Sequence, residues 1–245
     1  MKALAFASRN RKEILRDPLN LAFGLGFPVA LLLLLTAIQS NIPVNLFELK
    51  NLTPGLAVFG LSFISLFSGT LIAKDKSTSF LMRLFASPLS AFDFILGYTL
   101  PLLPMAIAQS AITFVVAYFL GLSINLNILL ALVVLIPSAV LFIAIGLLAG
   151  SVLNDKQVGG VCGALLTNLT AWLSGTWFDL NLVGGTFKAI ADALPFVHAV
   201  NATKAAVVGD YAMIMPELYW VIAYAIAVFA LATIAFKGKM RGDKN

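Results

Sequence analysis

The chain has 245 residues, of which 60% are hydrophobic and 11% are charged, and its mean hydropathy is +0.98. A soluble domain needs far more polar surface, so this composition indicates an integral membrane protein and excludes an ordinary soluble one. The net charge of +5 would suggest nucleic acid as a partner of a soluble protein. In a membrane protein, topology explains that charge better, and no nucleic-acid partner is expected.

Residues 1–17 predict an amphipathic helix that lies along the membrane surface. At about 100° per residue, its apolar face comprises Ala3, Leu4, Ala7, Ile14 and Leu15. The opposite face carries Lys2, Arg9, Lys12, Glu13 and Arg16. Arg11 falls within the apolar face, so its guanidinium must snorkel toward water. Asp17-Pro18 ends this helix and turns the chain into the bilayer.

Six apolar stretches follow, each long enough for a membrane-spanning helix or nearly so. We place the spans at Leu19–Ile38, Pro54–Ala73, Phe94–Leu120, Ile128–Leu153, Val158–Leu173 and Leu218–Phe236. The fifth is short, and Ser174–Phe178 either extends it or begins a re-entrant turn. The whole chain, residues 1–245, is predicted to be one all-α transmembrane domain.

Basic residues predict the orientation of these spans. The N-terminus, the second and fourth connections and the C-terminus together carry 13 Lys and Arg residues, against 3 on the other side. Both termini and the connection Lys74–Asp93 are therefore expected in the cytoplasm. The C-terminal basic tail is expected to anchor on membrane lipid.

The connection Lys74–Asp93 contains a short amphipathic segment. Phe80, Leu81, Leu84 and Phe85 fall on one helical face, Ser77 or Ser79 is placed to cap the helix start, and Pro88 ends it. So short a helix cannot bury that face alone. It either lies among lipid headgroups and neighbouring spans or docks on a cytoplasmic partner, with Arg83 directed away from the apolar face.

Residues 174–217, on the external side, are too apolar for a hydrated loop. Phe187–Leu194 and Val197–Val208 are predicted to be short helices, separated by Pro195 and closed by Gly209. Both are expected to dip into the outer leaflet as re-entrant or interfacial helices.

The proposed spans contain no charged residue and no histidine, which argues against an ion-coupled transporter. The chain has no phosphate-binding loop, and its single histidine excludes a multi-histidine metal site, so no cofactor is expected. Ser174 and His198 are the one pair that an intramembrane protease could use, although both residue types are common at helix ends.

Small and polar residues within the spans suggest how the helices pack. The pairs Gly146/Gly150 and Gly159/Gly163 allow close approach, which we interpret as internal packing before a dimer seam. The polar residues in mid-span are Gln109, Thr167, Asn168 and Thr170. They are candidates for lining a pathway or for hydrogen bonds between helices.

Four segments in this order resemble those of the type-2 permeases of ABC exporters. They are Arg16-Asp17-Pro18 with Pro28, Lys74–Pro88 with its Asp75-Lys76 pair, Leu173–Phe178, and Pro195–Ala202 with Lys204 and Gly209. The sequence departs from the family pattern in four places. Ser79 replaces a usual glycine, Met82 and Asn201 replace glutamates, and His198 replaces a tyrosine.

The resemblance implies a plasma-membrane permease, in a prokaryote, that pairs with an identical or related permease and with two copies of a separate ABC ATPase. Phe80, Leu81, Arg83, Leu84 and Phe85 would then couple the permease to the ATPase. The resemblance does not choose among drugs or antibiotics, peptides, ions, lipids and lipid-linked glycans as substrates. Two alternatives stay open at this point, namely a secondary transporter or channel that needs no ATPase, and an intramembrane enzyme.

Overall fold

The computed structural model describes residues 2–78, 80, 89–123 and 125–242. Across these residues every regular element is a helix and none is a strand. The α-helices are α1 (Lys2–Leu15), α2 (Pro18–Leu21), α3 (Phe27–Gln39), α4 (Leu49–Ser77), α5 (Ala91–Phe119), α6 (Leu126–Val152), α7 (Asp155–Val158), α8 (Thr167–Leu173), α9 (Leu180–Val183), α10 (Gly185–Ala193), α11 (Pro195–Val208) and α12 (Tyr211–Gly242). Two π-helical segments, Ala22–Gly26 and Gly159–Leu166, join α2 to α3 and α7 to α8.

Within the described part of the chain, five helices are long and apolar enough to cross a membrane. These are Ala22–Gln39, Leu49–Ser77, Ala91–Phe119, Leu126–Val152 and Tyr211–Met240. The prediction of an all-α, multi-pass membrane protein is therefore confirmed. The expected fifth span, Val158–Leu173, is helical throughout, but it consists of α7, a π segment and α8, with 4, 8 and 7 residues. The count of six spans remains a prediction.

Helix α4 forms the centre of the bundle, where it packs against α5 and α6 and is buried along most of its length. It crosses α6 at close backbone distance. A β-carbon on Gly146 would lie 1.9 Å from the Ser65 carbonyl oxygen, and one on Gly150 would lie 2.4 Å from the Gly69 carbonyl oxygen. Internal packing is thus confirmed for Gly146 and Gly150. It does not hold for Gly159, where an added β-carbon would meet nothing within 4 Å.

The ends of two helices differ from the predicted span limits. Helix α4 continues to Ser77, so Lys74, Asp75 and Lys76 belong to its last turns and not to a loop. Ser77 closes this helix, with its hydroxyl donating to the Lys74 carbonyl at 2.8 Å, and so it does not start another. At the other limit, α12 begins at Tyr211 and contains Glu217. The helices therefore carry charges that the narrower predicted spans lacked.

The segment before α12 folds into three short helices, α9 to α11. Pro195 is the first residue of α11, a position that needs no backbone N–H donor. Gly209 ends α11 with φ +82°, a left-handed conformation that glycine adopts without strain. Helices thus lie where the sequence predicted Phe187–Leu194 and Val197–Val208, although each helix begins two residues earlier than predicted. The external segment was predicted to reach residue 217, but α12 already begins at Tyr211. Residues 237–242 of the expected basic tail continue α12 as helix.

Candidate functional site

One end of the bundle holds α1, the last turns of α4 and the first turns of α5, and we call it the basic end. Phe6 of α1 is buried there and makes edge-on contacts with the rings of Phe94, at 5.5 Å, and Tyr98, at 4.9 Å. A β-carbon on Gly97 would lie 2.5 Å from the Phe6 ring. The bare backbone at Gly97 therefore lets α1 lie directly on α5.

Asn10 of α1 supplies a hydrogen bond that α5 cannot make for itself. In an α-helix, the N–H of Pro101 would be the partner of the Gly97 carbonyl, but proline has no N–H. The fully buried Asn10 amide donates to that Gly97 oxygen at 3.1 Å. Because an unpaired buried carbonyl is costly, this contact fixes the position of α1 along α5.

A buried carboxylate joins α1, α4 and α5. Asp75, near the end of α4, is 5% exposed and accepts two hydrogen bonds from the Arg9 guanidinium, at 2.7 and 2.9 Å. The Tyr98 hydroxyl donates to the same carboxylate at 2.8 Å. A two-point contact between guanidinium and carboxylate is strong and directional. The charge of Asp75 is thus compensated inside the protein, as a buried ion requires.

Arg9 also contacts the predicted coupling segment, by which we mean the amphipathic stretch from Phe80 to Phe85. Its guanidinium carbon lies 4.2 Å from the centre of the Phe80 ring, which is the geometry of a cation–π contact. Phe80 itself is half-buried and packs against the hydrophobic core. The other four predicted coupling residues, Leu81, Arg83, Leu84 and Phe85, lie outside the described residues. The start of the segment is thus tied to α1 through Arg9.

Lys76 links the end of α4 to the end of α6. Its ammonium group donates to the carbonyl oxygens of Gly150, Ser151 and Leu153 at 3.1, 3.3 and 2.6 Å. The last carbonyls of a helix have no partners within that helix, and they attract positive charge. The adjacent residues Asp75 and Lys76 therefore hold α4 to α5 on one side and to α6 on the other.

The faces predicted for α1 are partly wrong. Arg9, assigned to the solvated face, turns inward to Asp75 because that carboxylate needs a buried cation. Leu4 and Leu15, on the predicted apolar face, are 63% and 64% exposed, which leaves them free to face lipid as a surface helix requires. Asn10, which sequence reasoning missed, is fully buried. The sequence feature that could have revealed the role of Asn10 is Pro101 inside an apolar helix. A proline at that position leaves the Gly97 carbonyl without a backbone donor.

Three of the four predicted pathway residues, Thr167, Asn168 and Thr170, lie in α8, and Gln109 lies in α5. Gln109 is fully buried, and its side-chain nitrogen lies 3.4 Å from the Thr113 hydroxyl. Thr170 is also buried, and its hydroxyl has no hydrogen-bond partner among the described residues. Thr167 and Asn168 donate to carbonyls of the preceding turn, Cys162 and Ala164 respectively. Their role in a pathway remains a prediction.

A second polar cluster lies at the opposite end of the bundle, around His198. One ring nitrogen contacts the Glu217 carboxylate, and the other lies 2.8 Å from the Asp192 carbonyl oxygen. The ring stacks on Trp220 with the centroids 5.0 Å apart. Burial alone would lower the pKa of His198, but the hydrogen bonds to Glu217 and Asp192 outweigh it, so the pKa is raised above 6.5.

These contacts leave no histidine nitrogen for Ser174. The Ser174 hydroxyl is instead 2.6 Å from the Thr176 hydroxyl. The geometry therefore gives no support to a serine–histidine catalytic pair. Among the described residues, no group of three His, Cys, Asp or Glu side chains could hold a metal ion.

The arrangement at the basic end is mechanical, because Asp75 and Lys76 hold the end of α4 to α1, α5 and α6. Comparison with curated proteins gave no match. The family model described as ABC-2 type transporter matches residues 2–208, a range that contains α1, Asp75, the coupling segment and His198. This match covers most of the chain and confirms the resemblance seen in the sequence: the chain belongs to the ABC-2 type transporter family.

Proposed function

We propose that the chain is the membrane-spanning permease subunit of an ATP-driven exporter. A second permease, identical or related, completes the translocation pathway, and two copies of a separate ABC ATPase drive it. The permease itself hydrolyses no ATP. The observation that carries this proposal is the anchoring of the coupling segment by Arg9, Asp75 and Lys76 at its start. A connection that only joined two spans would not need a buried ion pair.

The anchored segment offers a route for mechanical coupling. Movement of a docked ATPase against the segment would reach α4 directly, because the segment follows Ser77 without a long linker. Asp75 would pass the movement to α1 and α5, and Lys76 would pass it to α6. Packed helices move as rigid bodies, so these contacts would carry a displacement of α4 to the helices that it touches.

The proposed orientation places the basic end, both termini and the coupling segment in the cytoplasm of a prokaryotic cell. The observation behind it is the unequal distribution of Lys and Arg residues. Ser77→Cys, on a Cys162→Ala background, tests it at an exposed position. We expect no labelling of intact cells by an impermeant thiol reagent, and labelling from outside would contradict the orientation.

The ATPase-docking role is tested at Phe85, because Phe80 already contacts Arg9 within the chain. Truncating an aromatic anchor at an interface costs about 2 kcal/mol or more, which weakens binding at least tenfold. With Phe85→Ala, we expect copurification of the ATPase and substrate-stimulated ATP hydrolysis to fall together. Phe119→Ala is the control, because Phe119 is 78% exposed at the far end of α5.

Two results would contradict this function. The first is a Phe85→Ala protein that keeps both the bound ATPase and the stimulated hydrolysis at the level of the Phe119→Ala control. The second is transport that follows an ion gradient in vesicles without any ATPase, which would favour the secondary transporter or channel. Drugs, peptides, lipids and lipid-linked glycans remain the substrate classes to screen in the hydrolysis assay.

A further inference from the structure

A groove of about 550 Å³ lies between α1 and the spans at the basic end. One wall is a single stripe along α1, formed by Leu4, Ser8, Arg11 and Leu15 at spacings of three and four residues, and all four are exposed. The other wall is apolar and comes from the first span and α5, including Leu25, Pro104 and Ala108. Its volume lies in the range of small-molecule sites, roughly 300–1,000 Å³.

Arg11 is the one charged side chain in the lining of this groove. It makes no hydrogen bond or ion pair with any described residue, whereas Arg9, two positions earlier, is held by Asp75. The stripe places this cation between Leu4 and Leu15, which are themselves exposed to the surroundings. A cation on an apolar, lipid-facing surface is costly unless an anion accompanies it.

The apolar wall of the groove follows a helix that is long and apolar enough to cross a membrane. Helix α5 starts at Ala91, and at 1.5 Å per residue Pro104 lies about 20 Å further along it. The hydrocarbon core of a bilayer is about 30 Å thick, so this wall is of a length that a lipid acyl chain could follow. Arg11 lies on the opposite wall, on the helix that the sequence predicts at the membrane surface.

We propose that this groove binds one anionic glycerophospholipid of the surrounding leaflet. The lipid phosphate pairs with the Arg11 guanidinium, which offers the forked donors that suit a phosphate. One acyl chain lies along Leu25, Pro104 and Ala108. Charge complementarity selects this occupant, because a neutral apolar ligand would leave Arg11 without an anion. A zwitterionic lipid would bring its own ammonium group to compete for the phosphate.

The test is native mass spectrometry of the full-length protein released from nanodiscs of phosphatidylglycerol and phosphatidylcholine in equal amounts. We expect Arg11→Gln to lower the retained phosphatidylglycerol about fivefold, as one interfacial basic residue contributes about 1 kcal/mol. Lys12→Gln is the matched control, since Lys12 is exposed on the same helix and does not line the groove. It should stay within twofold of the unchanged protein.

Ala108→Trp is a second variant, which keeps the charge and fills the apolar wall, and it should also lower retention. Because neither side chain makes a polar contact with a described residue, both variants are expected to fold, which thermal unfolding can verify. An equal loss in Arg11→Gln and Lys12→Gln would mean a diffuse surface charge and overturn the proposal. Unchanged retention in Arg11→Gln would also overturn it, as would a shift from dimer to monomer in that variant without lipid loss.

Discussion

Replacing Asp75 by Asn tests whether the buried carboxylate holds α1 on the bundle. The substitution keeps the shape of the side chain but removes the charge that accepts both hydrogen bonds from Arg9. Removing one partner of a buried ion pair costs about 3–5 kcal/mol. The Arg9 side chain is 34% exposed, so water can solvate its unpaired guanidinium and offset part of this cost. We therefore expect α1 docking to weaken by about 2–3 kcal/mol.

Cleavage by trypsin measures how often α1 detaches from the bundle. Helix α1 contains several basic residues, and their peptide bonds are protected while the helix is docked. Cleavage of a transiently open segment follows the population of the open form. A cost of about 2–3 kcal/mol should therefore raise the rate of cleavage within α1 about 30- to 150-fold. Mass spectrometry of the detergent-solubilised protein identifies the N-terminal fragments.

Glu13→Gln provides the matched control, since it removes a second carboxylate from the same arginine. This pair is 3.9 Å long, and the Glu13 side chain is 52% exposed. Exposed pairs within a helix contribute about 0.5 kcal/mol or less, so cleavage should rise less than about threefold. If Asp75→Asn were cleaved no faster than Glu13→Gln, the ion pair would not be what holds α1, and the reasoning would fail.

Three further predictions follow from contacts elsewhere in the structure. Asn10→Ala should destabilise α1 docking by about 1–3 kcal/mol in the same trypsin assay. Adding Pro101→Ala should recover part of that loss, because it restores the missing N–H donor to the Gly97 carbonyl. If the double variant lost as much docking free energy as the two single variants together, this pairing would be disproved. Gly146→Ala should lower the thermal midpoint through overpacking of about 1–3 kcal/mol, whereas the same change at Gly159, which faces open space, should not; equal midpoints would contradict the close crossing. The raised pKa of His198 means that its contact with the glutamate partner stabilises fully below about pH 6.5 and is lost as the pH rises through that pKa. The difference in thermal midpoint between the unchanged protein and His198→Gln should thus shrink as the pH rises above 6.5, and a difference that stays constant with pH would refute it.

The sequence predicted the fold class and most helices because hydrophobic runs and prolines act locally. It placed Arg9 on the solvated face of α1 because helical periodicity shows only which residues share a face, not which partners that face meets. The partner that reverses this assignment, Asp75, lies 66 positions away. Only the packing of α4 against α5 shows that this carboxylate is buried.

The helices extend past the predicted span limits for a related reason. A hydropathy pattern ends a span at the first charged residue, so Asp75 and Lys76 were placed in a loop. Both instead extend α4, because each charge finds a partner on a neighbouring helix. At the opposite end, Asn201 occupies a position where the family usually has glutamate. A carboxylate is nonetheless present there, since Glu217 of α12 lies 3.3 Å from the Asn201 amide.

The close crossing of α4 and α6 gives α4 the geometry of a lever. Gly69, at the crossing, lies about 12 Å along the helix from Ser77 and about 30 Å from Leu49, at 1.5 Å per residue. If α4 tilts about that point as a rigid rod, a displacement at Ser77 becomes one about two and a half times larger at Leu49. Backbone lies directly against backbone at this crossing, because neither Gly69 nor Gly150 carries a side chain. Under that tilt, a small step of Ser77 at the basic end would produce a larger step at the Leu49 end of α4.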